Sequence, residues 1–173
     1  LSPAHNEAME GYMVVPVFFL ALYFFFNGFL TWHDLRYGLL PDRFTCPLLW
    51  CGLAYACICH VDLLPQKVWG AIASYIGFAS LYWAYRLVRR YEGLGYGDVE
   101  FLAALGAWHG WQALIMLVFV AASLACILVC VLCFTPKREW ILKNPLPFGP
   151  FLAGAGLIMG YQDLFRGVFN FQL

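Results

Sequence analysis

Apolar runs of bilayer length dominate this chain: Met13–Trp32, Pro47–Leu64, Trp69–Val88, Trp111–Phe134 and Phe148–Phe165. A helix needs roughly 20 apolar residues, within a range of about 17–25, to cross the hydrocarbon core of a membrane. Hydrophobic residues make up 63% of the sequence and charged residues only 12%, clustered between the runs. That composition excludes an ordinary soluble domain. The length leaves room for one compact membrane domain over residues 1–173 and none for a separate soluble one. The fold class expected is therefore an all-α polytopic membrane protein. Formal net charge is zero, and no basic patch follows a phosphate backbone, so nucleic acid is not an expected partner.

A sixth apolar piece, Val99–His109, is short for a span and rich in alanine and glycine. Small residues let helices approach closely in lipid, which suits a short, buried helix. Charge decides whether it crosses. If all six segments cross, Arg36, Arg43, Arg86, Arg89, Arg90, Lys137, Arg138 and Lys143 share one side, and of the ten basic residues only Lys67 and Arg166 lie opposite. If the short piece does not cross, the Lys137-Arg138 loop moves outside. The excess of positive charge on cytoplasmic loops favours six transmembrane helices with both termini outside the cytoplasm. Trp32, Trp50, Trp69, Trp108, Trp111 and Trp140 fall near the expected helix ends, as interfacial aromatic residues do. The loops Glu92–Gly97 and Thr135–Pro145 are the segments expected to move. The chain opens on Leu1, and Leu1–Glu10 lacks the basic n-region of a signal peptide.

The same topology puts Asp34, Asp42 and Asp98 at the cytoplasmic face. Asp34 ends the first apolar run, and Asp98 closes Gly95-Tyr96-Gly97-Asp98 at the mouth of the short helix. A charge beside hydrocarbon costs several kcal/mol, so an acid kept there marks a functional site. The flanking glycines carry no side chain and let another chain approach closely. Peptide hydrolysis by an acid pair needs one carboxylate ionised to deprotonate water. The other is protonated, to hydrogen-bond the scissile carbonyl and then donate to the leaving amine. Like charges a few Å apart do not both ionise easily, and low dielectric sharpens the split. An up-and-down bundle can bring the ends of the first and fourth helices together.

Composition and spacing leave simpler readings open. Asp34 and Asp42 read equally as loop acids beside Arg36 and Arg43, and Asp98 as an N-cap for the helix that follows. His33 and His109 read as interfacial residues, and His60 as a histidine packed within an apolar helix. No HExxH or GxSxG is present, so neither zinc nor serine chemistry has its usual marker. The seven cysteines lie mostly in apolar runs, and Cys130-Val131-Leu132-Cys133 has no second pair to complete a zinc site. They read as small lipid-facing or packing residues; no metal site is expected.

Three longer motifs decide among these readings. The run from Asp34 through Trp50 (DLRYGLLPDRFTCPLLW) resembles the first motif of bacterial type IV prepilin leader peptidases. Gly93 through Trp108 (GLGYGDVEFLAALGAW) resembles their second, and Leu146 through Ala153 (LPFGPFLA) their third. The resemblance implies an aspartyl protease of the GxGD type, with Asp34 and Asp98 as the catalytic pair. Asp42 matches a recurrent acid of the first motif and is expected to support rather than catalyse. Gly95, Tyr96, Gly97 and Glu100 belong with the second motif, and Pro147, Phe148 and Gly149 with the third, as supporting or substrate-binding positions. The implied substrates are prepilins or pseudopilins of type IV pilus or type II secretion systems. Their short basic leaders would be cut after a glycine at the cytoplasmic face of the bacterial inner membrane, with Glu92 or Glu100 guiding the leader.

Two departures from the family pattern stand out. The paired-CxxC region that full-length members associate with methylation has no match here. S-adenosylmethionine and zinc are therefore not expected as cofactors, and peptidase activity is expected without methyltransferase activity. Glu100 stands where members often have lysine. Two residues from Asp98, it falls on a different part of the helix surface, where it would alter substrate or lipid contacts and leave the pair intact. A more general GxGD protease of other transmembrane substrates, as presenilin-like proteases are, and a non-catalytic membrane scaffold of the same fold are the alternatives.

Overall fold

The computed structural model describes residues 3–89, 95–134 and 147–169. Among them the regular structure is entirely helical: α1 (Pro3–Tyr37), α2 (Asp42–Cys59), α3 (Leu64–Arg89), α4 (Tyr96–His109), α5 (Leu114–Cys133) and α6 (Gly149–Phe169). Short 3₁₀ turns, Val61–Leu63 and Trp111–Ala113, lead into α3 and α5. By length and composition, Val14–Tyr37 and Trp111–Cys133 can each cross a membrane. The apolar side chains these helices present outward, such as Phe18, Phe25, Ile115 and Phe119, suit a lipid-facing surface.

Helix ends depart from the sequence reading in instructive ways. The first helix runs past Trp32 to Tyr37, so Asp34 lies inside its last turn rather than beyond it. It stops because Gly38 takes φ +63°, a left-handed conformation that costs glycine nothing, and its N–H caps the Asp34 carbonyl at 2.8 Å. Pro41 then sits extended, with a carbonyl that accepts the Phe44 and Thr45 N–H groups and opens α2. The second helix thus starts earlier than expected, and Pro47 lies inside it rather than in its first turn. It also ends earlier, at Cys59. His60 breaks the helix with φ −146° and bonds the Tyr55 hydroxyl, so it is not packed within a helix.

The short α4 is the centre of the molecule. Every residue from Phe101 to Gly110 is buried. Its backbone neighbours are α2, α3 and α6, α1 reaches it through the Tyr23 side chain, and its small residues let helices close in. Against α3 the approach is backbone to backbone: a Cβ on Gly70 would lie 2.7 Å from the Gly110 carbonyl carbon. Against α2, Trp108 stacks on Tyr55 and its indole N–H donates to the Leu48 carbonyl at 2.9 Å. Against α1, the Tyr23 hydroxyl meets His109 Nε2 at 3.0 Å. His109 and Trp108 are therefore core residues, not interfacial ones, at 7% and 3% exposure. Trp50 is exposed at the middle of α2, away from either end.

These contacts fix direction. α4 runs antiparallel to α1 and α3, and parallel to α2 and α6. The C-terminal end of α1 and the N-terminal ends of α2, α4 and α6 consequently gather at one end of the bundle. Of the segments expected to move, Glu92–Leu94 and Thr135–Pro145 lie outside the described residues, whereas Gly95 caps α4 and Tyr96 and Gly97 form its first turn.

Candidate active site

Asp34 and Asp98 both lie at that gathered end. Asp34 is carried by the last turn of α1 and Asp98 by the first turn of α4. Both are buried, at 5% and 7% exposure, and their carboxylates lie within electrostatic reach of each other. The expectation that a bundle could unite the first and fourth helices is met by the antiparallel packing of α1 on α4. The N-cap reading of Asp98 is corrected in position: Gly95 is the cap residue, extended at ψ 136°, and Asp98, in the first turn of α4, turns its carboxylate back onto the Gly95 backbone. The Asp98 N–H closes the same turn onto the Gly95 carbonyl at 3.1 Å.

The glycines of the motif make room. A Cβ on Gly97 would stand 2.7 Å from Leu40 Cβ and 2.9 Å from the Leu40 carbonyl oxygen, so this glycine lets the α1–α2 turn lie directly on the start of α4. A Cβ on Gly95 would stand 3.2 Å from Asp98 Oδ2. Between them, Tyr96 points the other way. Its hydroxyl bonds that of Tyr75, and its ring packs edge-on against Tyr82 at 5.5 Å, both on α3. Tyr82 in turn accepts a bond from the Arg86 guanidinium at 3.1 Å. Tyr75 and Tyr82 were not legible as partners of the motif, since no local spacing links α3 to Tyr96.

The third motif arrives with α6. Pro147 and Phe148 are half-buried ahead of the helix, and the Phe148 carbonyl accepts the Phe151 and Leu152 N–H groups to open it. Gly149 is buried, and its N–H donates to Asp34 Oδ2 at 2.9 Å. Asp34 sits at the negative end of its own helix, so an N–H from the positive end of another is electrostatically complementary.

Asp42 and Glu100 form a separate acidic pair on the α2–α4 seam. The Thr45 hydroxyl, on a residue only 1% exposed, donates to Glu100 Oε2 at 3.0 Å, and Asp42 lies within hydrogen-bonding reach of the same carboxyl. Glu100 therefore faces α2 and not lipid. Thr45 was missed from sequence because a lone threonine in an apolar helix carries no signal of its own. The seven cysteines are free thiols, five of them exposed on the outer faces of α2 and α5.

A family model described as the type IV leader peptidase family matches residues 19–132, the region that holds both aspartates. The leader peptidase HopD of Escherichia coli is 56% identical over 149 residues, covering 86% of this chain and 96% of that protein. The chain belongs to the type IV leader peptidase family. HopD of Salmonella typhimurium is 55% identical over 153 residues, 88% of this chain and 98% of its own length. A prepilin leader peptidase/N-methyltransferase of Aeromonas hydrophila is 44% identical over 129 residues, which is 75% of this chain and 44% of that longer protein. No solved structure matches the chain. The chain is a membrane-associated protease of this family.

Proposed function

We propose that this protein is an intramembrane aspartyl endopeptidase that removes short basic leaders from prepilins or pseudopilins. Asp34 and Asp98 are its catalytic pair. The observation that carries the reading is the convergence of two buried carboxylates, from the ends of α1 and α4, at one end of the bundle. Family membership and the relatives named as leader peptidases support the substrate class.

In this mechanism one carboxylate takes a proton from water, whose oxygen attacks the scissile carbonyl carbon. The second, protonated, carboxyl hydrogen-bonds the carbonyl oxygen and then gives its proton to the leaving amine. The proton balance of the pair is restored when the products leave. Two carboxyls that share a low-dielectric site do not both ionise easily, and that split is what the two roles require.

The chain crosses the bacterial inner membrane with all six helices, with both termini outside the cytoplasm. The distribution of basic residues supports this, as does the gathering of the α2, α4 and α6 N-termini at the end opposite Lys67. The site then faces the cytoplasm, where a basic leader preceding an apolar helix presents itself. The experiment is cleavage of a synthetic leader–helix substrate by the purified protein in detergent, with the cut mapped by mass spectrometry. A cut after glycine, lost when that glycine is replaced by a bulky residue, is the expected result. Equal cutting of both substrates would instead indicate a general protease of transmembrane segments.

A further inference from the structure

We infer that Gly149 is a positioning residue for Asp34: its backbone N–H, at the start of α6, sets the orientation of the carboxylate. The inference rests on Asp34 and Asp98 being the catalytic pair. Two observations independent of that reading converge on it. The Gly149 N–H reaches Asp34 Oδ2 at 2.9 Å in a buried setting. A Cβ at position 149 would stand 2.6 Å from the same oxygen, 3.1 Å from Asp34 Cγ and 3.3 Å from Asp34 Cβ. The position thus demands a residue with an N–H and without a side chain, and only glycine satisfies both.

The surrounding residues isolate this one donor. Pro150 has no N–H to offer. The next two amides, those of Phe151 and Leu152, are spent on the Phe148 carbonyl at 3.1 and 3.2 Å. The opening of α6 therefore directs its Gly149 N–H at Asp34. Because the N–H belongs to the backbone of a helix start, it has little freedom to swing away. A carboxylate at the end of α1 would otherwise rotate about its Cβ–Cγ bond. Held by Gly149, one oxygen is fixed relative to the neighbouring α4, which carries Asp98. The last helix thereby takes part in the chemistry although it supplies no acid.

The test compares kcat and KM for cleavage of the synthetic leader–helix substrate by the wild type and four variants in detergent. Gly149→Ala drives a methyl group into the carboxylate, and a displacement of about 1 Å at reacting groups costs on the order of 100-fold. The expected result is that fall in kcat with KM within about threefold of wild type. Gly154→Ala lies on the same helix, where a Cβ would meet only Leu124 Cδ1 at 3.6 Å. It should keep wild-type kcat and unfolding midpoint. A backbone ester at position 149, introduced as glycolate by nonsense suppression, removes the N–H and adds no atoms; kcat should fall at least tenfold. Asp34→Asn should abolish cleavage. An ester variant with wild-type kcat overturns the inference, as does a Gly154→Ala loss equal to that of Gly149→Ala. Retained cleavage by Asp34→Asn would instead overturn the catalytic pair itself, so the two failures are distinct.

Discussion

A single methyl group at position 106 should force α3 and α4 apart. A Cβ on Gly106 would stand 2.8 Å from the Gly70 carbonyl carbon and closer still to its oxygen and to Ser74 Oγ. Ser74 could rotate, but its hydroxyl already bonds the Gly70 carbonyl at 2.5 Å, and that carbonyl belongs to helix backbone. Ordinary contact begins near 3.4 Å, so one helix must retreat by about 1 Å or distort. Inserting a methylene into a well-packed interior costs about 1–3 kcal/mol. Gly106→Ala should therefore unfold earlier by that amount in a detergent–denaturant titration. The double variant Ser74→Ala/Gly106→Ala should recover only part of the loss, because the backbone clash survives. Gly77→Ala, where nothing lies within 4 Å, is the reference, and should be neutral or up to about 1 kcal/mol more stable. Since α4 carries Asp98, cleavage should fall in Gly106→Ala even under conditions where the protein stays folded. Equal stability of Gly106→Ala and Gly77→Ala would refute the backbone-to-backbone packing of the central helix.

Two further substitutions probe the polar contacts of α4. Tyr23→Phe removes the hydroxyl that meets buried His109 Nε2 and should cost about 1 kcal/mol in the same titration, with the cut position unchanged. Thr45→Val keeps the shape of a residue 1% exposed but deletes the bond to Glu100; it should cost about 1–2 kcal/mol, and no change would argue that Glu100 is held by other groups.

The sequence made the helical fold and both aspartates legible because the signals are local. Long apolar runs announce helices, and an acid at the edge of such a run is conspicuous by its cost. The short Val99–His109 segment was readable as a buried helix from its alanines and glycines, and the structure puts it at the centre. Relations between distant elements were not readable. That His109 bonds Tyr23 and that Trp108 fills the space beside Gly52 depend on the packing of three helices, so both looked interfacial from their place in the chain. The true start of α2 was hidden because the apolar run begins only at Pro47, although the extended Pro41 opens the helix ahead of the polar Asp42-Arg43. Glu100 looked like a surface departure, and only the position of Thr45 across the α2–α4 seam reveals what holds it. Gly149 could be recognised as part of a motif, but not as the donor to an aspartate 115 positions earlier.

The central claim is that Asp34 and Asp98 act together. The direct measurement is cleavage of the leader–helix substrate by Asp34→Asn and Asp98→Asn, each isosteric and each checked for a wild-type unfolding transition. The account predicts that both variants fold and that neither cuts. Normal cutting by either folded variant would contradict it.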